Sequence, residues 1–260
     1  MNLKNEIIAV VKDAGEIMLQ ATKIEEAQHE KSGDYNLFTE YDVAVQNYLF
    51  EQLAKILPEA KFIGEEEDAG VSKEEVYSGY SFIIDPIDGT TNFIHDYQMS
   101  SISVALLKEG EVFIGVVYNP YNKDLFSAQQ GEGAYLNETK IFATKKSLPE
   151  TLLAFGTAPY YRDTFADKTF ATLQALFPYC QDLRRSGSAA LDICYVACGR
   201  TGLFFEHILS PWDYAAAALI LQEAGGMITD MEKHPLPFHK TASVLAAGTA
   251  AYEDYFRYTR

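Results

Sequence analysis

Residues 81–93 read SFIIDPIDGTTNF and give the strongest structural signal in the chain. The apolar run predicts a buried strand that ends at Asp85. Pro86 cannot continue the hydrogen bonding of a central strand, so an abrupt turn is expected there. That turn would direct the carboxylates of Asp85 and Asp88 and the carbonyl of Ile87 toward one point. Hard cations such as Mg²⁺ prefer this all-oxygen set of ligands.

The residues that follow predict a phosphate site beside the cation. Asp88-Gly89-Thr90-Thr91 has the pattern of a helix start, with Asp88 as the N-cap and backbone N–H groups that can hold a phosphate. An anionic ligand is at first sight unfavourable, because 37 Asp and Glu against 21 Lys and Arg give a formal charge of −16. A divalent ion between the carboxylates and the phosphate would reverse the local sign.

Two further segments place carboxylates beside apolar runs. They are GEEED at 64–68 and Trp212-Asp213. Each segment also has an interpretation without a metal. DPIDG can be an ordinary turn, GEEED a solvated acidic loop, and Asp213 an N-cap next to a core tryptophan. Spacing alone does not show that the segments meet, so both interpretations stay open here.

The hydrophobic pattern predicts two helices, then a largely antiparallel sheet, then strands alternating with helices. The first helix has its apolar stripe between Ile7 and Ala21, and the second lies between Thr39 and Pro58. Strands are predicted at 61–63, 80–84, 101–107, 112–118, 125–128, 133–136, 152–155, 203–205, 227–229 and from 243, with later helices near 165–177, 189–197 and 214–224. We expect a layered α/β protein whose halves, 1–145 and 146–260, enclose the site at their seam.

The composition limits which binding partners and which cellular compartment are expected. The acidic surface would repel nucleic acid and anionic membranes. Cys180, Cys194 and Cys198 are odd in number and lack CxxC spacing, so they predict neither a disulfide framework nor a zinc site. Four of the five histidines, His95, His207, His234 and His239, have no metal-site spacing and are interpreted as surface or packing residues. With no signal peptide and no spanning helix predicted, a cytoplasmic location is expected.

Three motifs in this order resemble the metal-binding signatures of the inositol monophosphatase family. They are GEE at 64–66, DPIDGTTNF at 85–93 and WDYAAAALILQEAGG at 212–226. The resemblance extends to KSGDYNLFTEYD at 31–42 and to residues 184–213. It implies the αβαβα five-layered sandwich of the inositol monophosphatase and fructose-1,6-bisphosphatase type, usually as a homodimer. It also implies Mg²⁺ as cofactor, with two to three ions per subunit, Mn²⁺ as a possible substitute, and inhibition by Li⁺.

The resemblance assigns roles to individual residues. Glu65, Asp85 and the Ile87 carbonyl would hold the first ion, and Asp85, Asp88 and Asp213 the second. Glu65 and Thr90, the latter held by Asp42, would orient and deprotonate the attacking water. The amides of Gly89 and Thr90 would bind phosphate. The residues implied to meet substrate hydroxyls are Asp88, Gly187, Ser188, Ala189, Glu206 and Asp213.

The implied substrate is a small phosphorylated metabolite, with inositol monophosphate favoured. NADP⁺, fructose 1,6-bisphosphate and 3′-phosphoadenosine nucleotides are alternatives with the same chemistry, and a regulatory or binding protein that retains the fold is an alternative of another class. The chain departs from the family at Asn36, where Asp is common, and at residues 95–98, His-Asp-Tyr-Gln, where a Phe-Pro pair is usual.

Overall fold

The computed structural model describes residues 2–22, 24, 28–30, 37–66 and 76–259. The helices in these residues are α1 (Leu3–Leu19), α2 (Glu40–Ile56), α3 (Thr90–Ile94), α4 (Arg162–Leu176), α5 (Ala189–Ala197), α6 (Pro211–Glu223) and α7 (Thr249–Tyr258). The strands are β1 (Gln28–Glu30), β2 (Leu37–Thr39), β3 (Lys61–Gly64), β4 (Tyr80–Asp88), β5 (Ser101–Lys108), β6 (Glu111–Asn119), β7 (Asp124–Gln129), β8 (Gly133–Leu136), β9 (Thr139–Lys140), β10 (Leu152–Phe155), β11 (Asp182–Arg184), β12 (Leu203–Leu209), β13 (Met227–Thr229) and β14 (Ala242–Ala247).

Two large sheets form the framework. The first has seven strands in the order β3-β4-β5-β6-β7-β8-β9. Only its β3–β4 pair is parallel among these strands, which confirms the expected antiparallel sheet. The second has five strands in the order β11-β10-β12-β14-β13, with β10 parallel to β11 and β12 and β14 antiparallel to its neighbours. Strands β1 and β2 form a separate antiparallel pair.

Helices cover the sheets in three layers. Helices α1 and α2 pack on one face of the seven-stranded sheet, and α6 packs on its other face. Helices α5 and α6 contact each other and the five-stranded sheet, whose outer face is covered by α4 and α7. The order is therefore α, β, α, β, α, which confirms the predicted five-layered sandwich. Each described helix is too short or too polar to span a membrane.

The middle helical layer lies very close to the first sheet. An added Cβ on Gly115 of β6 would lie 2.4 Å from the carbonyl oxygen of Ala216 in α6, so only glycine fits there. Helix α6 is rich in alanine over 215–218, and these residues are buried in the same apolar cluster as Phe126 and Phe204 of the two sheets. Small side chains thus allow both sheets to share one helical layer.

The path of β4 corrects one expectation from the sequence. The strand does not end at Asp85 but continues to Asp88, with Asp85 opposite Ser103 and Asp88 opposite Ser101 on β5. Two residues of β4, Pro86 and Ile87, therefore lie opposite one residue of β5, Ile102, which is the count of a β-bulge. Pro86 lies within this irregularity, where the regular ladder is interrupted and its missing N–H is tolerated.

Candidate active site

One pocket of about 880 Å³ brings together residues that are far apart in the sequence. From the predicted site, its lining includes Glu65, Asp85, Ile87, Asp88, Gly89, Thr90, Gly187, Ser188, Ala189, Glu206 and Asp213. Asp42 is fully buried behind the lining, where its Oδ1 accepts a hydrogen bond of 3.3 Å from the Thr90 hydroxyl. The fold thus places every residue of the predicted site at one location.

Helix α2 determines where Asp42 lies. Thr39 caps this helix, because its hydroxyl accepts hydrogen bonds from the backbone N–H groups of Tyr41 and Asp42. Asp42 Oδ2 in turn accepts from the backbone N–H of Thr39 at 2.7 Å and from its hydroxyl at 2.6 Å. This capping box fixes one oxygen of Asp42 and leaves Oδ1 directed at Thr90.

The turn that holds Glu65 follows β3 directly. The parallel pairing of β3 and β4 places Gly64 opposite Ile84, and the Glu65 N–H donates to the Ile84 carbonyl at 3.2 Å. Gln46 of α2 accepts a hydrogen bond of 3.0 Å from the Glu66 N–H. A Cβ on Gly64 would lie 2.1 Å from Gln46 Oε1, so the close approach of helix and turn depends on glycine. Glu65 is thereby held beside the end of β4.

The buried carboxylates of the pocket destabilise each other's charged forms. Burial, followed by the charges of Glu65, Asp88, Asp213 and Asp42, raises the pKa of Asp85 well above its ordinary value. Burial, followed by the charges of Glu65 and Asp88, likewise raises the pKa of Asp213. Such a cluster is stabilised when a cation compensates the negative charge.

Asp88 connects the bulge of β4 to the start of α5. Its Oδ2 accepts from the Ser188 hydroxyl and, at 2.8 Å, from the Ala190 N–H, and its Oδ1 accepts from the Ala189 N–H at 3.2 Å. Burial raises the pKa of Asp88 to about 6 although these hydrogen bonds favour the carboxylate. The expectation that Asp88 caps α3 is wrong: the N-cap is Gly89, whose φ of 89° suits glycine, and the Asp88 side chain turns to α5 instead.

Asp213 is the third residue of α6. Its Oδ2 accepts a hydrogen bond of 2.7 Å from the Ser210 N–H, and the two residues form a capping box in which Ser210 is the N-cap. The alternative that Asp213 is itself the N-cap is therefore excluded. The neighbouring Trp212 carbonyl accepts from the Ser103 hydroxyl at 3.1 Å, which ties the start of α6 to β5.

Glu206 forms a polar wall on the side of the five-stranded sheet. It is 7% exposed, and its Oε1 accepts a hydrogen bond of 2.7 Å from the Ala158 N–H. Burial raises the pKa of Glu206 to about 7, and the nearby Arg185 charge opposes that shift. A Cβ on Gly156 would lie 1.9 Å from Glu206 Oε2, so the carboxylate packs directly on backbone.

The donor set fits a hard divalent cation, since it consists of four carboxylates and a backbone carbonyl. The carboxylates are not gathered around a single point. Among the described residues, the one group of three His, Asp or Glu side chains with ligand atoms all within 4.8 Å is Asp230, Glu232 and His234, in an exposed turn.

The Asp230 group was not predicted, although its every-second-residue spacing is visible in the sequence. Asp230 Oδ1 accepts from the backbone N–H groups of Glu232 and His234, and Asp230 Oδ2 lies 3.0 Å from His234 Nδ1. These contacts explain the cluster as a hydrogen-bonded turn.

Two polar residues of the site were also missed. Asp192 lines the pocket, and burial raises its pKa to about 8. A single acid in the apolar helix sequence AALDICYVA was the signal that could have identified it. Asn92, within the central motif, donates to the carbonyls of Met99 and Ser186.

Of the two departures from the family pattern, only the one at residues 95–98 lies in the described structure. Asn36 is outside the described residues. In the 95–98 segment, Asp96 and Gln98 have φ values of 48° and 61°, and the Tyr97 side chain is exposed.

Comparison with known proteins identifies the family. The sequence profile of the inositol monophosphatase family matches residues 2–259. Inositol monophosphatase 3 of Solanum lycopersicum is 37% identical over 252 residues, which are 96% of this chain and 92% of that protein. Nus factor SuhB of Pasteurella multocida is 39% identical over 193 residues, which are 74% of this chain and 71% of that protein.

A solved structure shows the same fold over the full length. The crystal structure of extragenic suppressor protein suhB from Bartonella henselae matches with a TM-score of 0.87 at 30% identity, covering 98% of this chain and 97% of that chain. Sequence profile, relatives and fold agree, and the chain belongs to the inositol monophosphatase family.

Proposed function

We propose that this protein hydrolyses inositol monophosphate, or a closely similar polyol phosphate, in a Mg²⁺-dependent reaction. Family membership supports phosphomonoesterase activity on small phosphorylated substrates and a metal requirement in general. The observation that supports the specific proposal most strongly is the pocket itself. Three distant segments place Glu65, Asp85 and Asp213 around one cavity, opposite the hydroxyl-binding candidate Glu206.

Glu65, Asp85, Asp88, Asp213 and the Ile87 carbonyl would hold the ions. Bound there, Mg²⁺ would compensate the charges of the carboxylates and the phosphate, lower the pKa of water and stabilise the leaving alkoxide. The protein's own contribution begins with burial, which holds the carboxylates in a pocket where an ionic attraction is strong.

Thr90 is suited to orient the attacking water. Its hydroxyl lies 3.3 Å from Asp42 Oδ1 and 3.1 Å from the Ile87 carbonyl, and both of these atoms can only accept. The single hydroxyl proton is therefore donated to Asp42 Oδ1 or to the Ile87 carbonyl. The lone pairs of the Thr90 oxygen are then left for a water in the pocket. The Glu65 carboxylate would then accept the proton of that water, and the N–H groups of Gly89 and Thr90 would bind phosphate oxygens.

The far wall of the pocket is suited to a polyol. The Glu206 carboxylate has an oxygen beyond the one bonded to Ala158 and can accept from a substrate hydroxyl. Ser188 and the backbone of Gly187 and Ala189 line the same side. The cavity does not by itself distinguish this substrate from NADP⁺, fructose 1,6-bisphosphate or 3′-phosphoadenosine nucleotides. Inhibition by Li⁺, a homodimer, a cytoplasmic location and the absence of nucleic-acid and membrane partners remain predictions.

A second candidate function is a partner-binding role. The relative from Pasteurella multocida is named a Nus factor, which favours such a role for this chain as well. A chain with only that role would not require the ligand set, yet Glu65, Asp85, Asp88, Thr90 and Asp213 are all present. We therefore rank the enzymatic function first.

Phosphate release from a panel of the substrates named above, with and without Mg²⁺, tests the proposal. We expect Mg²⁺-dependent release that is highest with inositol monophosphate and falls by about a thousandfold in Asp88→Asn, because that change removes a charged ligand. Asp182→Asn, at an exposed residue paired with Arg184, is the matched control and should retain activity. Equal release by the wild-type protein and Asp88→Asn would reject the enzymatic function.

A further inference from the structure

Asn92 joins the two sides of the pocket through its side-chain amide. Its Nδ2 donates to the Met99 carbonyl at 2.7 Å and to the Ser186 carbonyl at 2.9 Å. Asn92 is buried in α3, directly after the residues proposed to bind phosphate, and Ser186 begins the turn that leads to Ser188 and α5. One buried amide thus fixes this turn relative to the central motif.

The backbone of the turn rests directly on the amide. A Cβ on Gly187, whose φ is 91°, would lie 2.8 Å from Asn92 Nδ2 and 3.0 Å from Asn92 Oδ1. A Cβ on Gly89 would lie 3.0 Å from the Gly187 carbonyl oxygen. Two glycines therefore allow the two segments to approach closely, and Asn92 provides the hydrogen bond at the point of contact.

This contact differs from the other links between the same segments. Asp88 also reaches the turn, through Ser188, Ala189 and Ala190. Under the proposed function the Asp88 oxygens must be shared with an ion, so those hydrogen bonds change when the metal binds. No atom of the Asn92 amide is proposed to hold metal or substrate. Its hydrogen bonds can therefore persist both with and without a bound ion.

We propose that Asn92 is a positioning residue that sets the distance between the phosphate side of the pocket and its hydroxyl-binding side. The inference rests on the proposed function and deepens it. Substrates whose leaving group has hydroxyls need both sides of the pocket at the correct distance from each other. A phosphate ester without such hydroxyls needs only the phosphate side.

The test compares inositol 1-phosphate with p-nitrophenyl phosphate, whose leaving group has no aliphatic hydroxyl. Asn92→Asp keeps the shape but replaces the donor with an oxygen that faces two carbonyls. We expect kcat/KM for inositol 1-phosphate to fall about tenfold, mainly through a higher KM, while p-nitrophenyl phosphate changes by less than about twofold. Equal falls for both esters would overturn the inference, because a general structural defect does not distinguish them.

Asn119→Asp is the matched control. Asn119 is also buried, and its Nδ2 donates to the Gln98 carbonyl at 3.2 Å, one residue before Met99. Its Oδ1 accepts from the backbone N–H groups of Tyr121 and Asn122, so the hydrogen bonds of this side chain lie away from the 186–189 turn. Its substitution should leave the ratio of the two activities unchanged. A wild-type protein that hydrolyses neither ester would instead reject the proposed function, so the two failures are distinguishable.

Gly187→Ala provides an independent variant if Asn92→Asp does not fold. The added methyl group would push the turn away from Asn92, and the same selective loss on inositol 1-phosphate is expected. In Asn92→Ala/Gly187→Ala the contact of the methyl group with the amide is relieved, whereas its contact with Arg185 Nη1 at 2.9 Å and the positive φ of residue 187 remain, so the combined loss should be smaller than the product of the single losses. Strictly multiplicative losses would contradict direct positioning of the turn by Asn92.

Discussion

The hydroxyl of Thr90 and the carboxylate of Asp42 lie 3.3 Å apart, although the two residues belong to a helix start after β4 and to the first turn of α2. The contact joins the outer helical layer to the central motif. It also determines which way the Thr90 proton points.

Removal of the Thr90 hydroxyl should therefore impair the chemical step. We expect Thr90→Ala to lower kcat by about a hundredfold with little change in Mg²⁺ affinity, and Thr90→Ser to retain most of the activity. Steady-state kinetics together with Mg²⁺ titration by calorimetry would check this. Thr91→Ala, at the exposed neighbouring residue, is the control. A Thr90→Ser variant as inactive as Thr90→Ala would contradict the proposed role of the hydroxyl.

The contact of Gly156 with Glu206 gives a prediction about substrate binding. Because an added Cβ would lie within 2.4 Å of both carboxylate oxygens, Gly156→Ala must displace Glu206. We expect KM for inositol monophosphate to rise about tenfold without loss of Mg²⁺ binding. Gly156 is not among the glycines with positive φ, so the substitution adds no backbone strain of that kind. An unchanged KM would argue against Glu206 as a hydroxyl acceptor.

The stability of the metal-free protein should fall as the pH rises. The pKa values of Asp88, Glu206 and Asp192 are raised to about 6, about 7 and about 8, whereas carboxyl groups of the unfolded chain have pKa values near 4. Between the pKa values of the unfolded and the folded chain, the folded state therefore binds more protons than the unfolded state. Its stability decreases as the pH rises from about 5 to about 8, and the penalty is complete above the folded pKa.

Asp192→Asn isolates one of these groups. The variant removes the carboxyl with the highest pKa of the three, so its melting temperature should fall less steeply between about pH 7 and about pH 8 than that of the wild type, by a few degrees. Asp182→Asn is the control, because the hydrogen bond from Arg184 lowers the pKa of that exposed carboxyl, which therefore does not titrate in this range. Parallel curves for the wild type and Asp192→Asn would refute the linkage.

Mg²⁺ should stabilise the protein more at high pH than at low pH. Protons and the ion compete for the same carboxylates, and Asp85 and Asp213 also have raised pKa values. Thermal melts with excess Mg²⁺ and with a chelator, at about pH 6 and about pH 8, measure the difference. We expect a larger Mg²⁺-induced shift at the higher pH and a smaller shift in Asp88→Asn, which loses a ligand of the second ion but keeps those of the first. A shift independent of pH would place the bound ion elsewhere.

Much of the architecture was predictable because its signals are local. The apolar stripes give the helices, and the bounds predicted for β8, β10, α5 and β13 agree with the structure. The strand–turn pattern around Asp85 and Asp88 also identified residues that line the pocket. Local pattern was insufficient where the length of a strand depends on its partner. Whether β4 continues past Pro86 depends on its register with β5, and the sequence of β4 alone does not show that register.

The convergence of the site could not be derived from spacing, because it depends on contacts between distant segments. The turn that holds Glu65 is fixed by Gln46 of α2, which accepts from the Glu66 N–H, and Asp88 is fixed by the start of α5. The role of Asn92 is similarly invisible in the motif, since its partner Ser186 is 94 residues away. Family resemblance supplied the grouping of Glu65, Asp85, Asp88 and Asp213, and the structure supplies its physical cause.

The helical layer shared by the two sheets has a consequence for how the protein is made. Residues 189–223 provide that layer, and they also include Glu206 and Asp213 of the pocket. A nascent chain that ends near residue 145 would leave one face of the seven-stranded sheet bare, so it would depend on chaperones until the later helices emerge from the ribosome. Neither half is an exchangeable module, and a gene fragment that encodes one alone should yield insoluble protein.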